Sequence, residues 1–144
     1  MKISTRGRYA LRIMLDLALS DSGRPVRVRD IADRQEISEK YMEQIISTLN
    51  KAGFVRSIRG PQGGYYLARK PSEYTAGMIL RLTEGSMAPV DCVEPEASAC
   101  RRKDGCATFF LWKRLDEAVR SVIDTVTLED LVNWSRENGQ DYCI

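Results

Sequence analysis

Cysteine is the residue type with the most chemical capacity in this 144-residue chain. Cys92, Cys100 and Cys106 fall within 15 residues, separated by seven residues and then five, while Cys143 is next to last. Thiolates are soft ligands that suit iron–sulfur clusters and zinc alike. In a reducing compartment, such clustering points to metal or redox work rather than a disulfide framework. Arg101, Arg102 and Lys103 stand beside this site, where positive charge lowers thiolate pKa values. Three thiolates leave a four-coordinate shell one ligand short. A nearby carboxylate (Asp91, Glu94, Glu96 or Asp104), Cys143 from a partner's tail, or an exchangeable ligand can complete it. Histidine is absent altogether. That removes Ser-His-Asp and Cys-His catalysis, His-based zinc sites and the usual base near neutral pH. With no convergent base and nucleophile, the chain does not read as an enzyme; a zinc-bound structural module is another use of the same thiols.

The chain that must position these thiols is 43% apolar and 29% charged, with ten Gly and five Pro. That composition fits one real core and excludes a disordered or linker-dominated chain. Charges interrupt every hydrophobic stretch well short of a membrane span. Met1–Arg6 leads into an amphipathic segment bearing Arg8, Arg12 and Asp16 rather than a signal peptide. A cytoplasmic protein with no membrane partner is the expectation. The net charge of +2 hides a polarity: residues 1–70 carry +7 and residues 71–144 carry −5. A basic half joined to an acidic half suggests that one part meets a polyanion and the other does something else.

Periodicity places the elements. Tyr9, Ala10, Ile13, Met14 and Leu17 form one helical stripe, which predicts a helix over residues 5–20 ended by turn residues 21–25. Val26 and Val28 suggest a short strand, and Val28, Ile31 and Ala32 a short helix after it. Ser38 is the expected N-cap of the next helix, where Tyr41, Met42, Ile45, Ile46 and Leu49 face inward and Gly53 stops the run. Two helices joined by a tight turn, the second with polar side chains outward, match a helix-turn-helix. Residues 54–59 and 65–69 then read as two strands about the turn Gly60-Pro61-Gln62-Gly63-Gly64. A hairpin at this place is the wing of a winged helix, and glycines at its tip let the backbone approach a phosphate chain. Thr75 caps a short helix, and residues 84–104 have no period. Trp112, Leu115, Val119, Val122 and Val126 step by 3, 4, 3, 4, the seam of a coiled-coil-like pairing. Thr127 and Asp130 resemble a capping box for a last helix with Leu128, Leu131 and Trp134 inward.

The predicted fold is mainly α with a small β wing. Residues 1–74 make a winged helix-turn-helix DNA-binding domain; residues 75–144 hold the cysteine loop (92–106) and dimerisation helices. Duplex DNA is the expected partner. Gln44 can pair bidentately with adenine and Glu43 can accept from cytosine N4. Arg8, Lys40, Lys51 and Arg56 are cast as phosphate contacts, which position without reading. Arg59 suits a narrow minor groove. Ser38 and Tyr41, at the start of the reading helix, join the DNA-binding set, Tyr41 from the rim of the core.

Residues 1–10 (Met-Lys-Ile-Ser-Thr-Arg-Gly-Arg-Tyr-Ala), Tyr41-Met42-Glu43-Gln44 and the run from Val55 to Tyr65 closely resemble the Rrf2 family of bacterial winged-helix regulators, with its IscR-like, NsrR-like and CymR-like branches. The resemblance spans essentially the whole chain. It implies a homodimeric repressor paired through a long helix near residues 107–126. It also implies DNA contacts at Glu43, Gln44, Ser57, Arg59, Gly63 and Gly64. In the cluster-bearing branch three cysteines lie where Cys92, Cys100 and Cys106 stand, which implies a 2Fe–2S or 4Fe–4S cluster sensing iron–sulfur, iron or redox status. The IscR-like pattern has a histidine where this chain has Phe109, and the NsrR-like pattern has an aspartate where it has Arg8. The tail ending Tyr142-Cys143-Ile144 is instead similar to the CymR-like branch. There the alternative is a repressor of cysteine metabolism that signals through cysteine synthase bound to the C-terminal Ile144, without a metal.

Overall fold

The computed structural model describes residues 1–20, 23–96 and 100–139. Among them run α1 (Thr5–Leu19), α2 (Val28–Gln35), α3 (Glu39–Lys51), β1 (Val55–Ile58), β2 (Gly64–Leu67), α4 (Ala76–Glu84), α5 (Ala107–Ile123) and α6 (Leu128–Glu137). This is the mainly α architecture with a two-stranded wing that the periodicities predict. Single 3-10 turns occupy Pro71–Glu73, Asp91–Val93 and Lys103–Gly105.

Side-chain caps fix where the helices begin. The hydroxyls of Ser4, Ser38, Thr75 and Thr127 accept from the backbone N–H groups of Gly7, Tyr41, Met78 and Asp130. Asp130 returns the favour by accepting from the Thr127 N–H at 2.8 Å. Each cap satisfies a donor that the helix itself leaves orphaned, a contribution of about 1 kcal/mol. Between α2 and α3 the turn passes through Glu36 at φ 55°, ψ 44°, the one non-glycine residue with positive φ among the described residues.

One core runs through both parts of the chain. Ala10, Ile13, Met14 and Leu17 of α1 pack with Ile31 of α2, Met42, Ile45, Ile46 and Leu49 of α3, Val55, Tyr74, Ile79, and Leu128 and Val132 of α6. Helix α1 is its axle, touching α2, α3, α4 and α6. Tyr74 is fully buried. Its hydroxyl donates to the Phe54 carbonyl (2.6 Å) and accepts from the Arg69 N–H (3.0 Å), and so ties both roots of the wing to the core. The same residue anchors the link from α5 to α6: Leu128 N–H donates to the Tyr74 carbonyl, and Ala76 N–H to the Val126 carbonyl, both at 2.9 Å. Thr75 and Thr127 form an antiparallel bridge between those two bonds.

Three expectations are corrected. Helix α5 ends at Ile123 with Asp124 as its C-cap, so Val126 is not on the seam; it lies in the link stitched to α4. The apolar side of α6 buries Val132 while Trp134 is exposed. Val26 forms a single bridge to Tyr65 rather than a strand with Val28, which already opens α2.

Candidate functional site

The buried face of α3 dictates what its other face shows. With Met42, Ile45, Ile46 and Leu49 all locked in the core, Lys40, Glu43, Gln44 and Lys51 stand in solvent on the opposite side, as predicted. Ser38 is exposed at the cap, whereas Tyr41 is half-buried, its ring edge-on to Tyr9 at 5.9 Å.

The wing lies beside this helix. Its register pairs Val55 with Leu67, Arg56 with Tyr66, Ser57 with Tyr65 and Ile58 with Gly64. Val55 is buried and Arg56, Ser57 and Arg59 are exposed. The segment before α2 clamps the hairpin: Val26 N–H donates to the Tyr65 carbonyl (2.8 Å) and Tyr65 N–H to the Val26 carbonyl (2.7 Å). That approach is why Gly64 is glycine, since a Cβ there would overlap the Val26 backbone; a Cβ at Gly63 would overlap the Ile58 carbonyl oxygen.

Two basic residues that sequence reasoning missed join this face. Arg6 donates to the Thr48 hydroxyl at 2.7 Å, one turn beyond Gln44, and Arg27 reaches the Pro61 carbonyl at the wing tip at 3.4 Å. Arg6 sits beside Arg8, which was singled out for its charge; the pairing of Arg6 with α3 has no local signal. Arg8 itself is exposed and donates to the Thr5 hydroxyl at 3.0 Å. Arg6, Arg8, Lys40, Lys51, Arg56 and Arg59 on α1's first turn, α3 and the wing are all exposed, as are Glu43 and Gln44, side chains of the types that hold phosphates and read base edges.

The cysteine loop is arranged differently. Cys92 lies half-buried in the 3-10 turn at Asp91–Val93, Cys100 is exposed, and Cys106 is half-buried as the N-cap of α5. The Thr108 hydroxyl, 3.1 Å from the Cys106 sulfur, does most to hold this thiol below its ordinary pKa; the N–H groups of Phe109 and Thr108 and the charge of Arg102 add to it. The expected basic influence has the right sign but is the smallest of these causes. Beneath Cys92 opens a cavity of about 450 Å³ whose lining includes Glu94, Lys103, Phe109, Asp116 and Arg120. Asp116 is buried and already accepts from Arg120 at 2.8 Å. The donor types suit a thiolate-bound iron–sulfur cluster, but among the described residues no three potential ligands are gathered to hold a metal. Cys143 and Ile144 lie outside the described residues.

On α5, Trp112 and Val119 are half-buried, and Val119 lines a cavity within the chain beside Arg81 and Met87. Leu115 and Val122 face solvent together with Phe110 and Leu111, which are 58% and 56% exposed. The exposed stripe thus keeps Leu115 and Val122 of the predicted seam and adds Leu111, while Trp112 and Val119 are half-buried.

A helix-turn-helix with a clamped, glycine-tipped wing and a long helix bearing an exposed apolar stripe defines a winged-helix regulator. Residues 3–134 match the Rrf2 family, described as "Iron-dependent Transcriptional regulator", and the chain belongs to that family. It is 43% identical to the transcriptional regulator CymR of Bacillus subtilis over 142 residues, covering 99% of this chain and 97% of that protein. It is 39% identical to IscR of Pectobacterium atrosepticum over 133 residues, covering 92% of this chain and 80% of that one. The solved structure of B. subtilis CymR, called there the global cysteine regulator, superposes with a TM-score of 0.77 at 42% identity over 94% of this chain and 98% of that one. No described helix is long and apolar enough to cross a membrane.

Proposed function

We propose that the protein is a homodimeric DNA-binding repressor that pairs through the Leu111–Leu115–Val122 stripe of α5 and reads duplex operators with α3 and the wing. The observation that carries this reading is the placement of Glu43 and Gln44 outward on a helix whose inner face is fully locked, beside a wing clamped by Val26. Glu43 and Gln44 read bases; Arg8, Lys40, Lys51 and Arg56 hold phosphates, with Arg6 added to them; Ser57, Arg59, Gly63 and Gly64 bring the wing to the backbone and minor groove. Ser38 and Tyr41 seat the first turn of α3 against the duplex. Titration of labelled DNA at several salt concentrations tests this. Arg59→Ala weakens binding with a salt slope shallower by about one, whereas Glu43→Ala chiefly relaxes base preference. Unchanged affinity and selectivity in both variants refutes the docking.

The sensing element in this reading is the loop bearing Cys92, Cys100 and Cys106. It reports iron–sulfur cluster, iron or redox status, in keeping with the donor chemistry and with a Cys106 thiol held below its ordinary pKa by the Thr108 hydroxyl. Iron and sulfide content with a visible spectrum, measured without oxygen, decides the matter: Cys92→Ala loses the colour of the wild type. Colour equal to wild type removes Cys92 from the ligand set.

A second reading is supported by similarity: the chain is 43% identical to the B. subtilis CymR protein and 39% identical to the P. atrosepticum IscR protein. In that case the regulator signals cysteine status through cysteine synthase bound at Ile144, needing no metal. A colourless, metal-free protein that binds DNA, and binds cysteine synthase only while Ile144 is present, supports it.

A further inference from the structure

A buried carboxylate holds the helix-turn-helix from behind. Asp16 of α1 is only 5% exposed, yet it lies in the middle of a helix whose neighbours are apolar. Both of its oxygens are taken by the end of α2. Oδ1 accepts from Arg34 Nη2 (2.6 Å), and Oδ2 accepts from Arg34 Nε (3.0 Å) and Gln35 Nε2 (2.9 Å). The pairing with Asp16 holds the Arg34 guanidinium above its ordinary pKa. Gln35 then passes the contact back to α1: its side-chain oxygen accepts from Arg12 Nε (2.8 Å) and its carbonyl from Arg12 Nη2 (3.3 Å). The Arg12 guanidinium covers the Tyr9 ring at 5.2 Å, and Tyr9 meets Tyr41, in the first turn of α3, edge-on. This chain of directional contacts runs from the last turn of α2 through α1 to the start of α3. It includes Gln35, the residue just before Glu36, whose left-handed backbone a side chain rarely adopts without support.

The geometry points to Asp16 as a positioning residue for DNA recognition: through Arg34, Gln35 and Arg12 it fixes the direction in which α3 leaves the turn, and therefore which base edges Glu43 and Gln44 can meet. The inference rests on the DNA-binding reading above. Apolar packing sets how deeply a helix sinks, but it tolerates rotation and sliding; a two-pronged carboxylate–guanidinium pair does not. Base contacts are directional and fail with a small misalignment, while phosphate contacts tolerate it. Loosening the network therefore costs discrimination between sequences and leaves the charge attraction alone.

Duplexes selected in vitro on the wild-type protein supply a preferred sequence, and shuffled versions the reference. In Arg12→Met the half-exposed end of the network is cut while Asp16 stays paired, so the fold is kept. In Arg34→Lys the charge stays and the two-pronged geometry goes. Each variant loses about 3- to 10-fold of the preference for the selected duplex, with affinity for the shuffled duplex and the salt slope unchanged. Asp16→Asn loses more; if it does not fold, the other two carry the test. A wild-type preference ratio in folded Arg12→Met and Arg34→Lys overturns the inference and leaves Asp16 a purely structural residue. A salt slope reduced by about one in Arg12→Met also overturns it, by making Arg12 a phosphate contact in its own right. If the wild type selects no sequence over shuffled DNA, the DNA-binding reading itself fails and takes this inference with it.

Discussion

Helices α1 and α5 are of similar length and meet their surroundings in opposite ways. Helix α1 has 15 residues and buries eight of them, among them Ile13, Met14 and the paired Asp16. Helix α5 has 17 and buries one, Asp116, while Phe110, Leu111, Leu115 and Val122 stand in solvent. Helical propensity alone does not hold such a segment; packing of its apolar face does. The reading half of the molecule is complete within one chain. The long helix carries the apolar stripe expected of a surface made for another copy.

Substitutions on the two helices should therefore fail differently. The largest effect is expected at Leu115→Glu, which puts a charge in the middle of the proposed pairing face. Sedimentation should show half the wild-type mass and operator affinity should fall about 100-fold or more, since two half-sites no longer bind as one unit. The core around α1 is untouched, so stability should fall only by what pairing contributes, and the melting temperature should no longer rise with protein concentration. If Leu115→Glu stays dimeric, the contrast between the helices is broken. Met14→Ala in α1 is the opposite case. It opens a cavity in the shared core and should cost about 2–5 kcal/mol in denaturant unfolding, with the folded fraction still pairing. The smallest effect is at Tyr74→Phe, which leaves the Phe54 carbonyl and Arg69 N–H without their buried partner and should cost about 1–2 kcal/mol. Burial pushes the Tyr74 phenol above its usual 10.0. The fold thus favours the neutral form: this contribution is present below pH 10 and is lost as pH rises through the raised value. Unfolding midpoints of the wild type should fall in that alkaline window more steeply than those of Tyr74→Phe, which sharpens the case that the wing is fastened through this one hydroxyl.

Legibility in the sequence followed the range of the interactions. Ser38, Thr75 and Thr127 announce helix starts because a cap is made within three residues, and the wing is readable from glycines flanked by alternating strands. On α5 the 3–4 apolar spacing picks out Leu115 and Val122, which face solvent, but it does not distinguish the face a helix turns to its own chain from the face it turns outward: Val119 is half-buried and lines a cavity with Met87, and Leu111 stands exposed. Val126 continued the spacing past a helix that had ended, being apolar for its place against α4. Asp16 looked like a polar flank, and its partners Arg34 and Gln35 lie 18 and 19 residues away. The basic run 101–103 signals a lowered thiol, yet the greater influence on Cys106 comes from Thr108, whose contact exists only once α5 begins at Ala107. The three thiols were legible as chemistry, but their separation in space was not, because the loop has no period from which to read a shape.

The stitch between α4 and the α5–α6 link has a mechanical consequence. With Ala76 bonded to Val126, Leu128 to Tyr74, and Arg81 gripping Asp124 through both carboxylate oxygens, the long helix is a cantilever welded at its C-terminal root to the same block that carries the wing. The far end of that lever is Cys106, where α5 packs against the 3-10 turn that carries Cys92. In the paired, thiol-sensing form proposed above, a change at the thiols would act at the point of longest reach, and a small swing there would alter the span between the two reading heads.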